Sequence, residues 1–371
     1  MSRPIHHITL KGYKSIRQLD DFELASVNVL IGANGSGKSN FVSFFHLLRE
    51  LVERRLEKAV NKSGGADRQL YLGPKVTDKI DAHLGFGQNG YAFTLEPTAD
   101  NRLIFGDERI EYHASGMGQT SSVDRSIGEG HSESKLRGHT EVGYNSTIAK
   151  HVYGDISSWT VYHVHDTSET AKMRRPCSVE DYERLRPDAG NLAAFLNVLK
   201  DDDKMTFKLI VETIKLVAPF FKTFRFRPKK QKDGDTIQLD WTQEGSDYPF
   251  HSSQLSDGTL RFIALATALL QPDPPATILI DEPELGLHPF ALDMLSSLIL
   301  QAQERTQVIV STQSASMLNA FEPEQIVVVE RHEGESTFRR LTKDDLASWL
   351  TDYTMGELWQ KNIYGGGPVH E

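Results

Sequence analysis

Cysteine is almost absent: Cys177 is the single one in 371 residues. That excludes an internal disulfide framework and a cysteine-built zinc centre. Long apolar runs are missing too, and no stretch approaches the roughly 18–20 residues that span a bilayer. The opening MSRPIHHITL lacks the apolar core of a signal peptide. A cytoplasmic protein with no membrane partner is the expectation. Positive charge is in deficit, with 41 Lys and Arg against 51 Asp and Glu, a formal charge of −10. Net acidity argues against whole-surface binding of nucleic acid but leaves room for a local basic patch. Internal repeats and sustained heptads are also missing. The rest is ordinary for a globular chain, 39% hydrophobic and 25% charged, and long enough for one large domain or two lobes.

Short runs near the N-terminus, Ile8-Thr9-Leu10 and Phe22-Glu23-Leu24, read as antiparallel strands, followed by a buried strand over Val27–Ile31. Phe41, Phe44, Phe45, Leu48, Leu51 and Val52 recur at spacings of three and four and predict a helix. Its charged distal part, Arg49 to Lys58, is expected in water. Residues 61–114 suggest further antiparallel sheet, and 115–147, rich in Ser, Gly and Thr, read as a long mobile loop. Trp159–His165 is β-rich. Helical patterns follow at about 178–200 and 204–217, then a hairpin of Thr223–Arg227 with Thr236–Trp241, joined through Asp233-Gly234-Asp235. From residue 255 the order is helix (259–270), strand (277–281), helix (289–304), strand (307–312) and strand (325–330). That alternation predicts a largely parallel sheet. Leu346, Trp349, Leu350, Leu358 and Trp359 could cap the core or dock a partner, and Gly365-Gly366-Gly367-Pro368 reads as a tail.

Chemistry enters with Gly32-Ala33-Asn34-Gly35-Ser36-Gly37-Lys38-Ser39, which fits the phosphate-loop pattern GxxxxGK[ST] at every fixed position. Glycines let backbone N–H groups turn inward around phosphate oxygens, and the helix that starts there adds its positive end. Lys38 is then expected to reach the β- and γ-phosphates of ATP, and the Ser39 hydroxyl to ligate Mg²⁺. A glycine-rich turn without chemistry is the alternative, but the strand before it and the helix after it supply the context the motif needs. The apolar strand Thr277–Ile280 ends in Asp281-Glu282 and would deliver both carboxylates to the same sheet edge. Asp281 is expected to hold Mg²⁺, mainly through water, and Glu282 to orient and polarise the attacking water. Leu255-Ser256-Asp257-Gly258-Thr259 opens a helix, with Ser256 a good N-cap and Gly258 a residue of close approach.

The order phosphate loop, Leu-Ser-Asp-Gly-Thr, Asp-Glu strand, then Ser311-Thr312-Gln313 resembles the ATP-binding-cassette ATPases. Within them the chain is similar to RecF/SMC-type soluble heads, through Gly32 to Asn40, Gln254 to Thr259 and the Asp-Glu-Pro-Glu-Leu-Gly-Leu-His-Pro run over 281–289. Similar heads include ATPase subunits of anti-phage systems. Tyr162 to Ser168 and Asn191 to Leu196 extend the likeness. The resemblance implies an α/β head with a mainly parallel sheet, an antiparallel β subdomain and a small helical lobe. It implies ATP with Mg²⁺, bound by Gly32, Asn34, Gly35, Ser36, Gly37, Lys38, Ser39 and Asn40. It further implies two heads facing head to tail, with Ser256 and Gly258 of one touching the γ-phosphate held by Lys38 of the other. Two departures stand out. Asp257 and Thr259 replace the Gly and Gln of transporter members, and Gln313 stands where many relatives carry a histidine. A glutamine amide donates a hydrogen bond but cannot become cationic, which fits a slow switch. Gln69 and Gln88 are both candidates for the glutamine loop.

Lys222, Arg225, Arg227, Lys229, Lys230 and Lys232 form a basic run interleaved with Phe220, Phe221, Phe224 and Phe226. Contact with DNA is one reading. A half-buried hairpin with its lysines in water is the other, favoured by strand alternation. His163 and His165, with Asp166, have the i, i+2 spacing of a metal site, yet no further ligand stands nearby in sequence, so a strand-end role beside the nucleotide is expected. His288 is expected at the dimer seam, His6 and His7 on a solvent-facing strand, and Cys177 in a loop without a catalytic role.

One head over residues 1–371 is expected. Residues 1–114 would form the β subdomain with the phosphate loop, 115–150 a mobile loop and 170–222 the helical lobe. Residues 255–345 would form the signature α/β lobe, and 346–371 a helix and tail. The 216 residues between Ser39 and Ser256 hold no long coiled coil, so output must pass to a partner. The leading expectation is an ATP-switched homodimer or higher oligomer that regulates a separately encoded nuclease in anti-phage defence or DNA maintenance. No acidic cluster of Toprim kind beyond Asp281-Glu282 places a nuclease in this chain. The alternative is a DNA-binding clamp of RecF type acting in repair, and a transporter subunit is the weakest option.

Overall fold

The computed structural model describes residues 3–116, 119–141, 146–232 and 234–367. Two six-stranded sheets frame it. Strands β1 (His7–Tyr13) and β2 (Ile16–Glu23) pair antiparallel, and the chain then enters the second sheet through β3 (Val27–Ile31). The phosphate-loop segment leads into α1 (Lys38–Val52), which buries Phe41, Phe44, Phe45, Leu48, Leu51 and Val52 as their spacing predicts. The helix stops earlier than the charge pattern suggests: Arg54 takes φ 60°, and a separate α2 (Leu56–Lys62) follows.

Strands β4 (Ile80–Phe86), β5 (Asn89–Pro97), β6 (Leu103–Gly116) and β7 (Gln119–Gly128) complete the antiparallel sheet in the order β2-β1-β4-β5-β6-β7. Residues 119–128, expected inside a mobile loop, are thus a ladder strand on β6. Their Ser- and Thr-rich composition hid this, because backbone pairing at a sheet edge asks little of the side chains. Asp233, Pro368 and the loop residues 117–118 and 142–145 lie outside the described residues.

Helix α3 (Ser146–Ser158) delivers Trp159 to a pocket between Phe45 and Phe86, at ring-centroid distances of 5.4 and 5.7 Å. Strand β8 (Thr160–Tyr162) follows directly. The two-residue β9 (Cys177–Ser178) and a run of turns occupy the stretch expected to begin a helix at 178. The reason is Asn191, fully buried, whose amide donates to the carbonyls of Asp181 (2.9 Å) and Arg184 (2.8 Å) and accepts from the Arg186 N–H. That side chain satisfies loop groups that a helix would have satisfied internally. The helices proper are α4 (Leu192–Asp202) and α5 (Lys204–Val217).

A small sheet joins β10 (Phe221–Arg225), β12 (Asp240–Gln243) and β13 (Pro249–His251), while β11 (Thr236–Ile237) pairs with β9 instead. The expected hairpin is therefore formed only in part: Asp240 and Trp241 pair with Arg225 and Phe224, whereas Thr236 and Ile237 pair with β9. Then come α6 (Asp257–Leu270), β14 (Thr277–Asp281), α7 (Pro289–Ala302), β15 (Gln307–Thr312), α8 (Ala315–Leu318), β16 (Ile326–His332), β17 (Glu335–Arg340), α9 (Lys343–Leu346) and α10 (Met355–Gln360).

The central sheet has the order β17-β16-β3-β15-β14-β8, parallel except for β17. Its strands alternate between two cores. Val29, Ile278, Ile280, Val308 and Val310 face α4 to α7, while Leu30, Leu279 and Ile309 face α1 and the antiparallel sheet. A period of two with both faces covered explains the nearly continuous apolar runs in the sequence.

The C-terminal apolar residues divide. Leu346, Met355 and Leu358 are buried, whereas Trp349 and Leu350 are exposed. Gly356 carries no Cβ where α10 meets the Ala315 carbonyl on α8, and its N–H donates to Asn319 Oδ1 at 2.8 Å. Gly365 and Gly366, expected as a free tail, take φ of 82° and 79° and fold back beside the phosphate loop. The Gly366 N–H donates to Glu330 Oε1 at 3.0 Å.

Candidate active site

Four adjacent parallel strands bring four loops to one sheet edge. The loop after β3 carries Gly32 to Ser39, the loop after β15 carries Gln313, β14 ends in Asp281-Glu282, and β8 ends at His163. The register sets Asp281 opposite Ser311 and Thr312 opposite Ile31, so the carboxylates and the phosphate loop reach the same sheet edge with β15 between their strands.

Within the loop the close packing is specific. A Cβ on Gly32 would lie 2.7 Å from Ser36 Oγ, and Gly37, at φ 113°, has no room for one against Ser336. Lys38 is 4% exposed, and its ammonium donates to the carbonyls of Gly32 (2.6 Å) and Ala33 (3.0 Å). Burial pulls its pKa below the ordinary lysine value, while Glu282, Asp281 and Glu284 oppose that shift. Ser39 is exposed at the helix start, and Asn34 and Gly35 are open to solvent. Ser36 Oγ is buried and has no partner.

The carboxylate side is equally organised. Asp281 accepts from the Ser311 hydroxyl. Glu282 takes φ 43°, a left-handed conformation that strains a residue with a Cβ, and its N–H donates to the Ser311 carbonyl at 2.8 Å. Gln313 Nε2 donates to Glu282 Oε1 at 2.6 Å, and the Gln313 N–H donates to Glu284 Oε1, also at 2.6 Å. Burial pushes the Glu284 carboxyl above the ordinary carboxylate range.

Asn40 donates to Ser15 Oγ (2.7 Å), which lies 2.7 Å from Ser336 Oγ, and Ser336 donates to the Ser36 carbonyl at 2.6 Å. This hydroxyl chain braces the loop from β17 and the β1–β2 turn. Sequence inspection missed Ser15 and Ser336 because they stand 321 residues apart and neither belongs to a motif. Arg331 Nη1 donates to the Gly35 carbonyl at 3.3 Å. With Ala33, Glu330, Gln313 and Gly366 it lines an open cleft of about 570 Å³ above the loop.

Ser256 caps α6, accepting from the Thr259 N–H at 3.1 Å, and its side chain is exposed. Gly258 is a residue of close approach, as its type suggests, but what it approaches is the Gly286 carbonyl of the same chain. Buried Arg174 holds this signature turn through Leu255 O (3.2 Å), Ser252 O and Asp257 Oδ1 (2.8 Å). His288 caps α7, its Nδ1 accepting from the Phe290 N–H at 3.3 Å.

Of the two glutamine-loop candidates, Gln69 is buried beside Lys14, whose N–H donates to its carbonyl at 2.8 Å, and Gln88 accepts from Tyr112. The loop after β8, next to the carboxylate strand, carries His163 and His165 instead. Their donor atoms and one from Asp281 lie within 4.8 Å of each other. The third member expected from sequence, Asp166, turns away and accepts from the Ser168 hydroxyl at 2.6 Å. Phe221 and Phe224 of the basic run are buried, Arg225 is exposed and Lys222 pairs with Asp247 at 3.0 Å.

A phosphate loop at the edge of a parallel sheet, with two carboxylates from the next strand but one, defines a phosphate-loop ATPase head. The chain belongs to the AAA_21 family, described as "AAA domain, putative AbiEii toxin, Type IV TA system", whose model matches residues 27–115 and 160–319. No curated protein matches. Among solved structures, the SMC head bound to the C-winged helix domain of ScpA is similar at 15% identity and TM-score 0.56, covering 93% of this chain and 99% of that one. The Smc head with an extended coiled coil bound to the C-terminal domain of ScpA, from Pyrococcus furiosus, is similar at 14% identity and TM-score 0.54, covering 94% and 99%. The fold is that of an SMC-type ATPase head. No helix among the described residues is long and apolar enough to cross a membrane.

Proposed function

We propose that this chain hydrolyses ATP slowly, dimerises head to tail while ATP is bound, and through that cycle regulates a separately encoded effector, a nuclease, in anti-phage defence or DNA maintenance. The observation that carries the proposal is the convergence of Lys38, Asp281, Glu282 and Gln313 at one sheet edge, with hydrogen-bonded positions for each.

Each residue then has a task. Lys38 exchanges its two loop carbonyls for the β- and γ-phosphates, a charge-assisted contact stronger than the one it leaves. The N–H groups of Gly35 to Ser39, with the unpartnered Ser36 hydroxyl, receive phosphate oxygens. The exposed Ser39 hydroxyl and the Asp281 carboxylate fit a divalent cation, since both are oxygen donors at the same edge. Such an ion, when bound, neutralises charge developing on the phosphates. Glu282 accepts a hydrogen bond from the attacking water and orients it, and Gln313 holds that carboxylate in place. Ser256, exposed at its helix start, is offered to the opposite subunit. The head structures similar to this one are bound to a domain of ScpA, and a separate partner docked on this head is the corresponding expectation.

The test is co-purification with the product of the neighbouring gene, followed by comparison of the partner's activity with wild-type protein and with Lys38→Ala. A partner whose activity ignores both ATP and Lys38 contradicts the proposal. A second reading, the DNA clamp, is favoured by one observation, the exposed cations of the 222–232 run. If it holds, replacing Arg225, Arg227, Lys229 and Lys230 by Ser weakens DNA binding and flattens its salt dependence. Absence of DNA binding at low salt in every nucleotide state removes it.

A further inference from the structure

We propose that His163, His165 and Asp281 form a nitrogen-containing site for a divalent first-row transition-metal ion, of the Mn²⁺ to Zn²⁺ class, at the end of the carboxylate strand. The link of this ion to ATP rests on the ATPase reading above; the binding of the ion itself does not.

Three observations carry it. The first is proximity: one donor atom from each residue lies within 4.8 Å of the other two. Donors sharing one ion through bonds of about 2.0–2.2 Å at tetrahedral or cis-octahedral angles stand about 3.0–3.5 Å apart, so side-chain rotation of up to about 1–2 Å closes the site. The second is the origin of the residues. Strand β8 pairs in parallel with β14, with Tyr162 opposite Ile280, and this fixes the histidine loop beside Asp281. Third, the loop backbone is locked. Arg261, 6% exposed on the helix behind the signature turn, donates from Nε to the Val164 carbonyl and from Nη2 to the His165 carbonyl, both at 2.9 Å. The His163 N–H donates to the Pro187 carbonyl at 2.9 Å. A backbone held at three consecutive residues fixes where both histidine Cα atoms stand, so only the side-chain torsions remain to be ordered when an ion binds.

The donor set decides the class of ion. Two imidazoles and a carboxylate favour borderline transition metals, while Mg²⁺ prefers an all-oxygen shell with several waters. Three protein donors leave coordination positions for water or phosphate oxygens.

The test uses the full-length protein, free of nucleotide, titrated with Mn²⁺ alone and followed by electron paramagnetic resonance with detection of nitrogen hyperfine coupling. The expected result is one site with imidazole nitrogen coupling, not displaced by a tenfold excess of Mg²⁺. In the His163→Ala/His165→Ala double variant the coupling disappears and Mn²⁺ affinity falls by more than about tenfold, with an unchanged circular dichroism spectrum. Lys38→Ala keeps the Mn²⁺ site whatever happens to its ATP binding, which separates failure of this inference from failure of the ATPase reading. Wild-type Mn²⁺ without nitrogen coupling, or a double variant within twofold of wild-type affinity, overturns the site.

Discussion

Gln313 donates its side-chain N–H to Glu282 at 2.6 Å, so the residue after β15 engages the proposed catalytic carboxylate directly. The amide of residue 313 carries no titrating proton. Hydrolysis by the wild type should therefore show no titration belonging to residue 313 between about pH 6 and 8. Gln313→His should introduce one, because imidazole titrates near about pH 6.5. An unchanged profile and rate in that variant would mean that residue 313 does not act at the reacting end.

Removing the ammonium at position 38 should abolish hydrolysis, since Lys38 is the buried cation held by the Gly32 and Ala33 carbonyls, whereas Arg331 reaches the loop only at the exposed Gly35. Lys38→Ala also frees the carbonyls of buried Gly32 and half-buried Ala33; the space left by the lysine side chain admits water to them, so the fold should survive. Phosphate release at the wild-type rate from a folded variant would disprove the phosphate-loop assignment.

In the proposed cycle Glu282 acts on water rather than holding nucleotide. Glu282→Gln should keep ATP affinity and lower turnover by about 100-fold or more. It should also accumulate an ATP-bound dimer, seen by light scattering. A variant no more dimeric than wild type in Mg²⁺–ATP weakens the head-to-tail arrangement.

Burial raises the Glu284 carboxyl above its ordinary range, which has a consequence for stability. The folded state then holds this proton more tightly than the unfolded chain does. The contribution is full below the ordinary glutamate value of about 4.3 and is lost as pH rises through the folded value. Glu284→Gln, which keeps an acceptor for the Gln313 N–H but has no charge to bury, should gain Tm relative to wild type as pH rises from about 4 to 8. A constant difference across that range would show that Glu284 does not titrate on folding as its burial implies.

Much of the site was legible because it is local. Gly32 to Ser39 is one contiguous motif with its strand and helix, and the strand ending at Asp281 announces itself by an apolar run closed with carboxylates. The α1 face was legible for the same reason, its period of 3.6 being written in phenylalanines. What escaped inspection depends on distant pairings. His163 and His165 look like an incomplete metal pair until β8 lies beside β14 and supplies Asp281. Ser336 carries no signal at all, because its role comes from a β-strand returning to the phosphate loop from the far end of the chain. The strand at 119–128 was hidden by composition, and the Gly365-Gly366 turn was mistaken for a tail because glycine signals both freedom and tight folding. Asn191 shows the reverse error: the helix expected from about 178 starts only at Leu192, and the residues before it form turns whose carbonyls the buried Asn191 amide satisfies.

The central claim, a nucleotide site completed by the opposite subunit, is tested most directly by mixing two inactive variants. In the proposed dimer, Ser256→Arg would crowd the γ-phosphate across the seam while its own Lys38 remains intact, and Lys38→Ala would keep an intact signature turn. A heterodimer of the two holds one site in which a working phosphate loop meets a working signature. Hydrolysis should partly recover in the mixture, and mixed dimers should form in Mg²⁺–ATP, although each variant alone is inactive. Neither recovered hydrolysis nor any mixed dimer would contradict the account and leave a monomeric phosphate-loop ATPase in its place.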